Sequence, residues 1–292
     1  MKKTPGYVSL IFCLLLAACS ATNASSTDPA QEFDGQRAYQ DVVNQMAFGP
    51  RIPGSEAHQL AEEYIATELE KAGWQVELQQ STVTDHPVVN ILAYRSKTDQ
   101  PILLGAHYDS RMIADQDSDP SLTTQPVPGA NDGASGVAVL LELARTLPAE
   151  EQNVWLVFFD AEDQGHIPSW NWLLGSTEFA AHLTVKPQAV VVLDMIGDAD
   201  LNIYREITST KNLTDQIWQT AASLGYSQYF IDEEKYSMLD DQTPFLNAGI
   251  PAVDVIDFDY PYWHTAQDTT DKVSAHSLEI VGKTISAWLK TQ

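Results

Sequence analysis

Apolar residues recur with a helical period from Glu56 to Ala72, where Leu60, Tyr64, Ile65 and Leu69 share one face and Gly73 ends the run. Short strand-like runs follow at Trp74–Leu78, Val88–Tyr94 and Pro101–Ala106. The stretch from Gly133 to Leu147 opens with small residues and continues as an apolar helix through Val137, Leu140, Leu141, Leu143 and Ala144. Val154–Phe159 is apolar at every position, the pattern of a central strand buried on both faces, and Val190–Leu193 and Ala252–Ile256 are of the same kind. Further helices are expected at Asn212–Leu224, Thr243–Ala248 and His276–Leu289. Strands alternating with helices predict an α/β fold, a three-layer sandwich with a mostly parallel, twisted sheet flanked by helices. With no internal repeat and no second composition regime, residues 32–292 are expected to form one domain.

The first 31 residues follow a different pattern. Lys2 and Lys3 precede an apolar run from Val8 to Ala18 that is too short to span a bilayer. The run ends in Leu16-Ala17-Ala18-Cys19 and gives way to Ser20, Thr22, Asn23, Ser25, Ser26 and Thr27. This resembles a bacterial lipoprotein signal: residues 1–18 are expected to be removed and Cys19 to carry lipid. Residues 19–31 then read as a flexible tether. The expected location is outside the cytoplasm, on the bacterial cell envelope, with the membrane reached through the lipid anchor only.

Composition narrows the field. The 292 residues carry 40 acids against 16 Lys and Arg, a formal net charge of −24. Removing residues 1–18 takes away two lysines and no acid, leaving 14 against 40 and a net charge of −26. Such a chain repels nucleic acid and anionic lipid surfaces, so neither is an expected partner. Two cysteines, one of them inside the signal segment, cannot supply a disulfide framework, and stability must come from the core.

In sheets of this type ligands bind beyond the carboxyl ends of the strands, and that is where the polar residues fall. Ile102–Ala106 runs into His107-Tyr108-Asp109-Ser110, and Gly129-Ala130-Asn131-Asp132-Gly133 opens the apolar helix. Trp155–Phe159 leads to Asp160-Ala161-Glu162-Asp163, Val190–Leu193 leads to Asp194, and Pro261-Tyr262-Trp263-His264-Thr265 lies in a late loop. Each taken alone has an ordinary structural reading as a helix cap, a tight turn or a solvated acid. The glycine-rich stretch is no phosphate cradle, because it lacks the lysine and puts Asp132 where a phosphate would sit. Together, two imidazoles and several carboxylates at successive strand ends suit a zinc site with an open coordination position.

From Pro50-Arg51-Ile52-Pro53-Gly54-Ser55 to the last helix, the chain resembles the zinc-dependent family that joins bacterial aminopeptidases with glutaminyl cyclases. The resemblance implies that His107 and Asp194 hold one ion, Asp163 and His264 the other, and Asp132 bridges them. It implies Glu162 as general acid/base, with Asp109 behind His107 as an orienting carboxylate. Peptide or protein N-termini are the implied substrates.

Two branches of the family remain open. An aminopeptidase uses two zinc ions and a water that Glu162 deprotonates. A glutaminyl cyclase uses one zinc, here on Asp132, Asp163 and His264, and Glu162 moves a proton from the α-amine to departing ammonia. Three features lean toward the cyclase. Residues His166 to Leu174, with Trp170 and Trp172, separate the acidic pair from Gly175-Ser176; Trp263 precedes His264; and Asp240-Asp241 followed by Thr243-Pro244-Phe245 resembles a cyclase segment that places Asp240 among the catalytic residues. Trp263 is expected to wall the substrate pocket, whereas Trp170 and Trp172 read equally well as core filling. Trp74, Trp155, Trp218 and Trp288 occupy core-like positions. The chain departs from the family with Asp163 where Glu is commoner and Gln242 where His is frequent. A third possibility is a surface lipoprotein that binds peptides without catalysis.

Overall fold

The computed structural model describes residues 1–3 and 32–292. Cys19 and, apart from residues 1–3, the expected signal and tether lie outside the described residues. Helices α1 (Gly35–Met46) and α2 (Glu56–Lys71) come first, then a hairpin of β1 (Gln75–Val83) and β2 (His86–Tyr94). Its turn residues Thr84 and Asp85 are both left-handed, with φ of 47° and 68°, as tight hairpins require. Then follow β3 (Ile102–His107), α3 (Ala134–Thr146), β4 (Val154–Phe159), α4 (Leu174–Ala181) and β5 (Ala189–Asp194). The chain continues through β6 (Ile203–Glu206), α5 (Lys211–Ser223), β7 (Phe230–Tyr236), α6 (Thr243–Asn247), β8 (Ala252–Ile256) and α7 (Ala275–Leu289).

Six strands form one sheet in the order β1-β2-β4-β3-β5-β8. Strand β3 runs parallel to β4 and β5, and β5 parallel to β8, whereas β2 is antiparallel to both β1 and β4. Strands β3, β4, β5 and β8 are buried at every position, which explains their unbroken apolar sequences. One face packs on α3 and the layer of α1, α2, α5 and α7, with Trp288 fully enclosed. The other packs on α4 and α6, where Phe159 lies 5.8 Å from Phe179 and 5.9 Å from Phe245 between ring centroids. Trp74, Trp155 and Trp218 are buried as their positions suggested. Strands β6 and β7 make a separate two-stranded sheet.

Candidate metal centre and active site

The register of the parallel strands sets the site. His107 is the last residue of β3 and pairs with Phe159, the last of β4. Asp194 closes β5, opposite Ile256 at the end of β8. Four neighbouring strands, β4, β3, β5 and β8, therefore stop at one edge, and the loops that follow converge there. Asp132 arrives through the turn before α3, where Gly133 has a φ of 45° and packs so tightly that a Cβ would stand 2.7 Å from the His107 ring. Only glycine fits that approach. Ala161, Met195 and His264 are also left-handed, at 51°, 47° and 54°, a concentration of strain typical of functional loops.

Two donor sets form around a shared carboxylate. His107 Nε2 lies 3.1 Å from Asp132 Oδ1 and 3.2 Å from Asp194 Oδ1. His264 Nε2 lies 2.8 Å from Asp163 Oδ1 and 3.7 Å from Asp132 Oδ2. Each set, His107–Asp132–Asp194 and Asp132–Asp163–His264, brings its donor atoms within 4.8 Å of one another. All five side chains are buried, and Asp132 Oδ2 and Asp163 Oδ2 find no hydrogen-bond partner. Buried carboxylate oxygens without donors are costly unless a cation meets them. The imidazole and carboxylate donors fit zinc.

The electrostatics carry the same signature. Burial pushes the Asp163 carboxyl up to about 6, with Asp132 adding to the rise and His264 opposing it. Burial pulls His264 down, but Asp163 and Asp115 outweigh it and hold the imidazole at about 9. Glu162 is raised well above the usual carboxylate range by burial, helped by Asp163, Asp240 and Asp241 and opposed by His107.

Above the donors lies a cavity of about 340 Å³. Asp132, Glu162, Asp163, Asp194, Asp240 and His264 form its polar floor, while Trp172, Met195, Met238, Ile256, Phe258 and Trp263 give it an apolar wall. Trp263 stacks on His264, and Trp172 lies nearly parallel to the same imidazole at 6.0 Å. Of the two tryptophans left open by the sequence, Trp172 thus belongs to the pocket. Trp170 instead stacks on His86 at the hairpin, 3.6 Å between centroids.

Asp109 has a broader part than expected. Its Oδ1 stands 3.4 Å from His107 Nδ1, a charge contact rather than a hydrogen bond. Both its oxygens accept from the neighbouring loop: Glu162 N at 3.0 Å, Asp163 N at 3.3 Å and Gln164 Nε2 at 2.9 Å. Asp109 therefore positions Glu162 and Asp163 as much as His107. Gln242 is buried, its amide turned toward Met238 O at 3.5 Å, and it does not line the cavity.

Several supports were invisible in the sequence. Arg111, fully enclosed, donates to Asp163 O and Gly165 O, binds Asp115 through two nitrogens, and lies over the Trp172 ring at 4.9 Å. Asp115 Oδ1 in turn stands 3.5 Å from His264 Nδ1. Asp268 accepts from Asn131 N, Asp132 N and the Tyr260 hydroxyl, and so fixes the turn that presents Asp132. These residues sit in aperiodic loops, where no pattern marks them.

Fold and donor sets together define a zinc-dependent α/β enzyme with its site at the strand ends. Residues 88–289 match the model of peptidase family M28, and the chain belongs to that family. Among solved structures, a glutaminyl cyclase of Porphyromonas gingivalis is 35% identical, with a TM-score of 0.84 over 90% of this chain and 100% of that one. A zinc-dependent exopeptidase of Parabacteroides distasonis is 31% identical, with the same TM-score and the same coverage. A glutaminyl-peptide cyclotransferase of Boiga irregularis is 25% identical over 82% of this chain and 76% of its own.

Proposed function

We propose that the protein is a zinc-dependent glutaminyl-peptide cyclotransferase, converting an N-terminal glutamine to pyroglutamate with release of ammonia. The observation that carries this reading is the joint burial of Glu162 and Asp240 in an aromatic-walled cavity directly over the metal donors. A flat, uncharged glutamine side chain suits walls built by Trp172, Trp263 and Phe258. An α-amine suits a floor of carboxylates with no lysine or arginine lining it. The relatives described as glutaminyl cyclases support the same reading.

Asp132, Asp163 and His264 would hold one zinc, which would supply Lewis-acid polarisation of the side-chain amide carbonyl of the substrate. The α-nitrogen forms a bond to Cδ, the carbonyl carbon of the side-chain amide, and the bond from that carbon to the amide nitrogen breaks. Glu162 takes the proton that the α-amine gives up and returns it to the departing nitrogen, which leaves as ammonia. Asp240 lies beside it on the cavity floor, where its carboxyl oxygen can accept a hydrogen bond from the substrate α-amine, and Asp109 fixes the loop that carries Glu162. Trp263 walls the pocket and holds the His264 ring face-on.

One observation favours a second reading, a zinc aminopeptidase. The donor set His107–Asp132–Asp194 is as closely assembled as its neighbour, so a second ion has a place. Zinc per chain, measured after dialysis, separates the two: one ion supports the cyclase and two the aminopeptidase. Ammonia from a glutamine-initiated peptide, against amine from a leucine anilide, gives the matching answer in products. The reading as a non-catalytic binder is set aside, since Glu162 and both donor sets are assembled.

We also propose that the chain is exported and tethered to the envelope through lipid on Cys19. No helix among the described residues is long and apolar enough to cross a membrane. Radiolabelled palmitate should enter the full chain and not its Cys19→Ser variant; equal labelling of both contradicts the anchor.

A further inference from the structure

Asp160 opens the loop that carries Glu162 and Asp163, yet it does not line the cavity. It is clamped on every side. Its Oδ1 meets His58 Nε2 at 2.7 Å, and its Oδ2 accepts from Val89 N at 2.8 Å. Its own N–H donates to Asn90 Oδ1 at 3.1 Å, and its carbonyl accepts from Gly175 N at 2.9 Å. The next residue, Ala161, is held left-handed, so the direction in which Glu162 leaves depends on how firmly Asp160 is fixed.

His58, on α2, lies behind this arrangement and is itself buried, at 6% exposure. Its ring stacks on Tyr108 at 4.8 Å and 22°, and Tyr108 stands between His107 and Asp109. One side chain thus braces both strand-end loops from the side away from substrate. We infer that His58 is a positioning residue for Glu162, acting through its bond to Asp160 rather than through any contact with the substrate. Burial pulls His58 down, but the bond and charge of Asp160 outweigh it; burial likewise lifts Asp160 against the pull of His58.

The inference rests on Glu162 being the acid/base group, so the experiment includes Glu162→Gln. In the full zinc-loaded chain, His58→Phe keeps a ring against Tyr108 and deletes the donor to Asp160, whereas His58→Gln restores a donor. Turnover of a glutamine-initiated peptide by His58→Phe should fall about 10- to 100-fold, the scale of a small misplacement of a reacting group. KM and zinc content should stay at the parent values, and His58→Gln should recover most of kcat. Parental kcat in His58→Phe overturns the inference. So does a loss that His58→Gln fails to restore, which marks a packing role, or one that tracks zinc loss. Full activity in Glu162→Gln overturns the underlying assignment as well, and is read independently of His58. If His58→Phe does not accumulate folded, His58→Leu, which also removes the bond to Asp160, must show the same fall in kcat with KM and zinc held.

Discussion

Trp263 lies face to face with His264, its neighbour in sequence, with ring centroids 3.7 Å apart and 25° between the planes. One residue thus lines the pocket while its neighbour offers Nε2 to the metal position, and the stack makes the two jobs interdependent. Aromatic pairs contribute about 0.5–1.5 kcal/mol beyond area burial. Trp263→Leu should therefore lower kcat/KM for glutamine-initiated peptides about 2- to 12-fold from the stack alone, with more from the lost wall. Steady-state kinetics check this; an unchanged kcat/KM removes Trp263 from the pocket.

Asp132 belongs to both donor sets. Asp132→Asn removes a charge that either ion needs, so zinc retained after dialysis should fall well below the parent. Elemental analysis of the dialysed proteins decides it. Equal zinc in both would take Asp132 out of the coordination sphere.

Asp254, in the middle of β8, is fully buried, and neither of its carboxylate oxygens has a hydrogen-bond partner. Burial raises its carboxyl well above the usual range, and Asp240, Asp194, Glu206 and Asp241 push the same way. The folded, metal-free chain therefore holds a proton here that the unfolded chain has released, from the ordinary carboxylate range up to the raised value. Stability contributed by that proton is present at low pH and is lost as pH rises. Asp254→Asn is neutral at every pH. Chelator-treated parent and variant should show similar urea midpoints at pH 5, with the variant gaining on the parent by pH 8. Midpoints that differ equally at both pH values would contradict the assigned protonation.

How much of this was legible depended on periodicity. Val154–Phe159 and Ala252–Ile256 are buried on both faces, so their unbroken apolar runs marked the strands to the residue. Helix α1 escaped because its buried face includes Asp41, which accepts from Arg145 and Tyr64, and Gln45, whose amide donates to the Ala134 carbonyl. Strand β7, Phe230–Tyr236, is mostly exposed and charged and carries no alternation strong enough to read. The site was legible where it follows apolar strands, at His107, Glu162, Asp163 and Asp194. Trp172 stood open between pocket and core until the fold placed it, and Arg111, Asp115 and Asp268 come from loops whose course is set by tertiary contacts, where no local pattern announces them.

In the proposed reaction Glu162 moves a proton from the substrate amine to departing ammonia. Its most direct test is ammonia release from a glutamine-initiated peptide by the parent and by Glu162→Gln, each assayed with its zinc content measured. Positioned acid/base groups contribute about 100- to 10,000-fold. The parent should release ammonia in step with pyroglutamyl product, and Glu162→Gln should bind zinc normally while its rate falls by about that factor. Undiminished ammonia release by the variant would take Glu162 out of the proton transfer, and a parent that frees amine from a leucine anilide and no ammonia from the peptide would be an aminopeptidase.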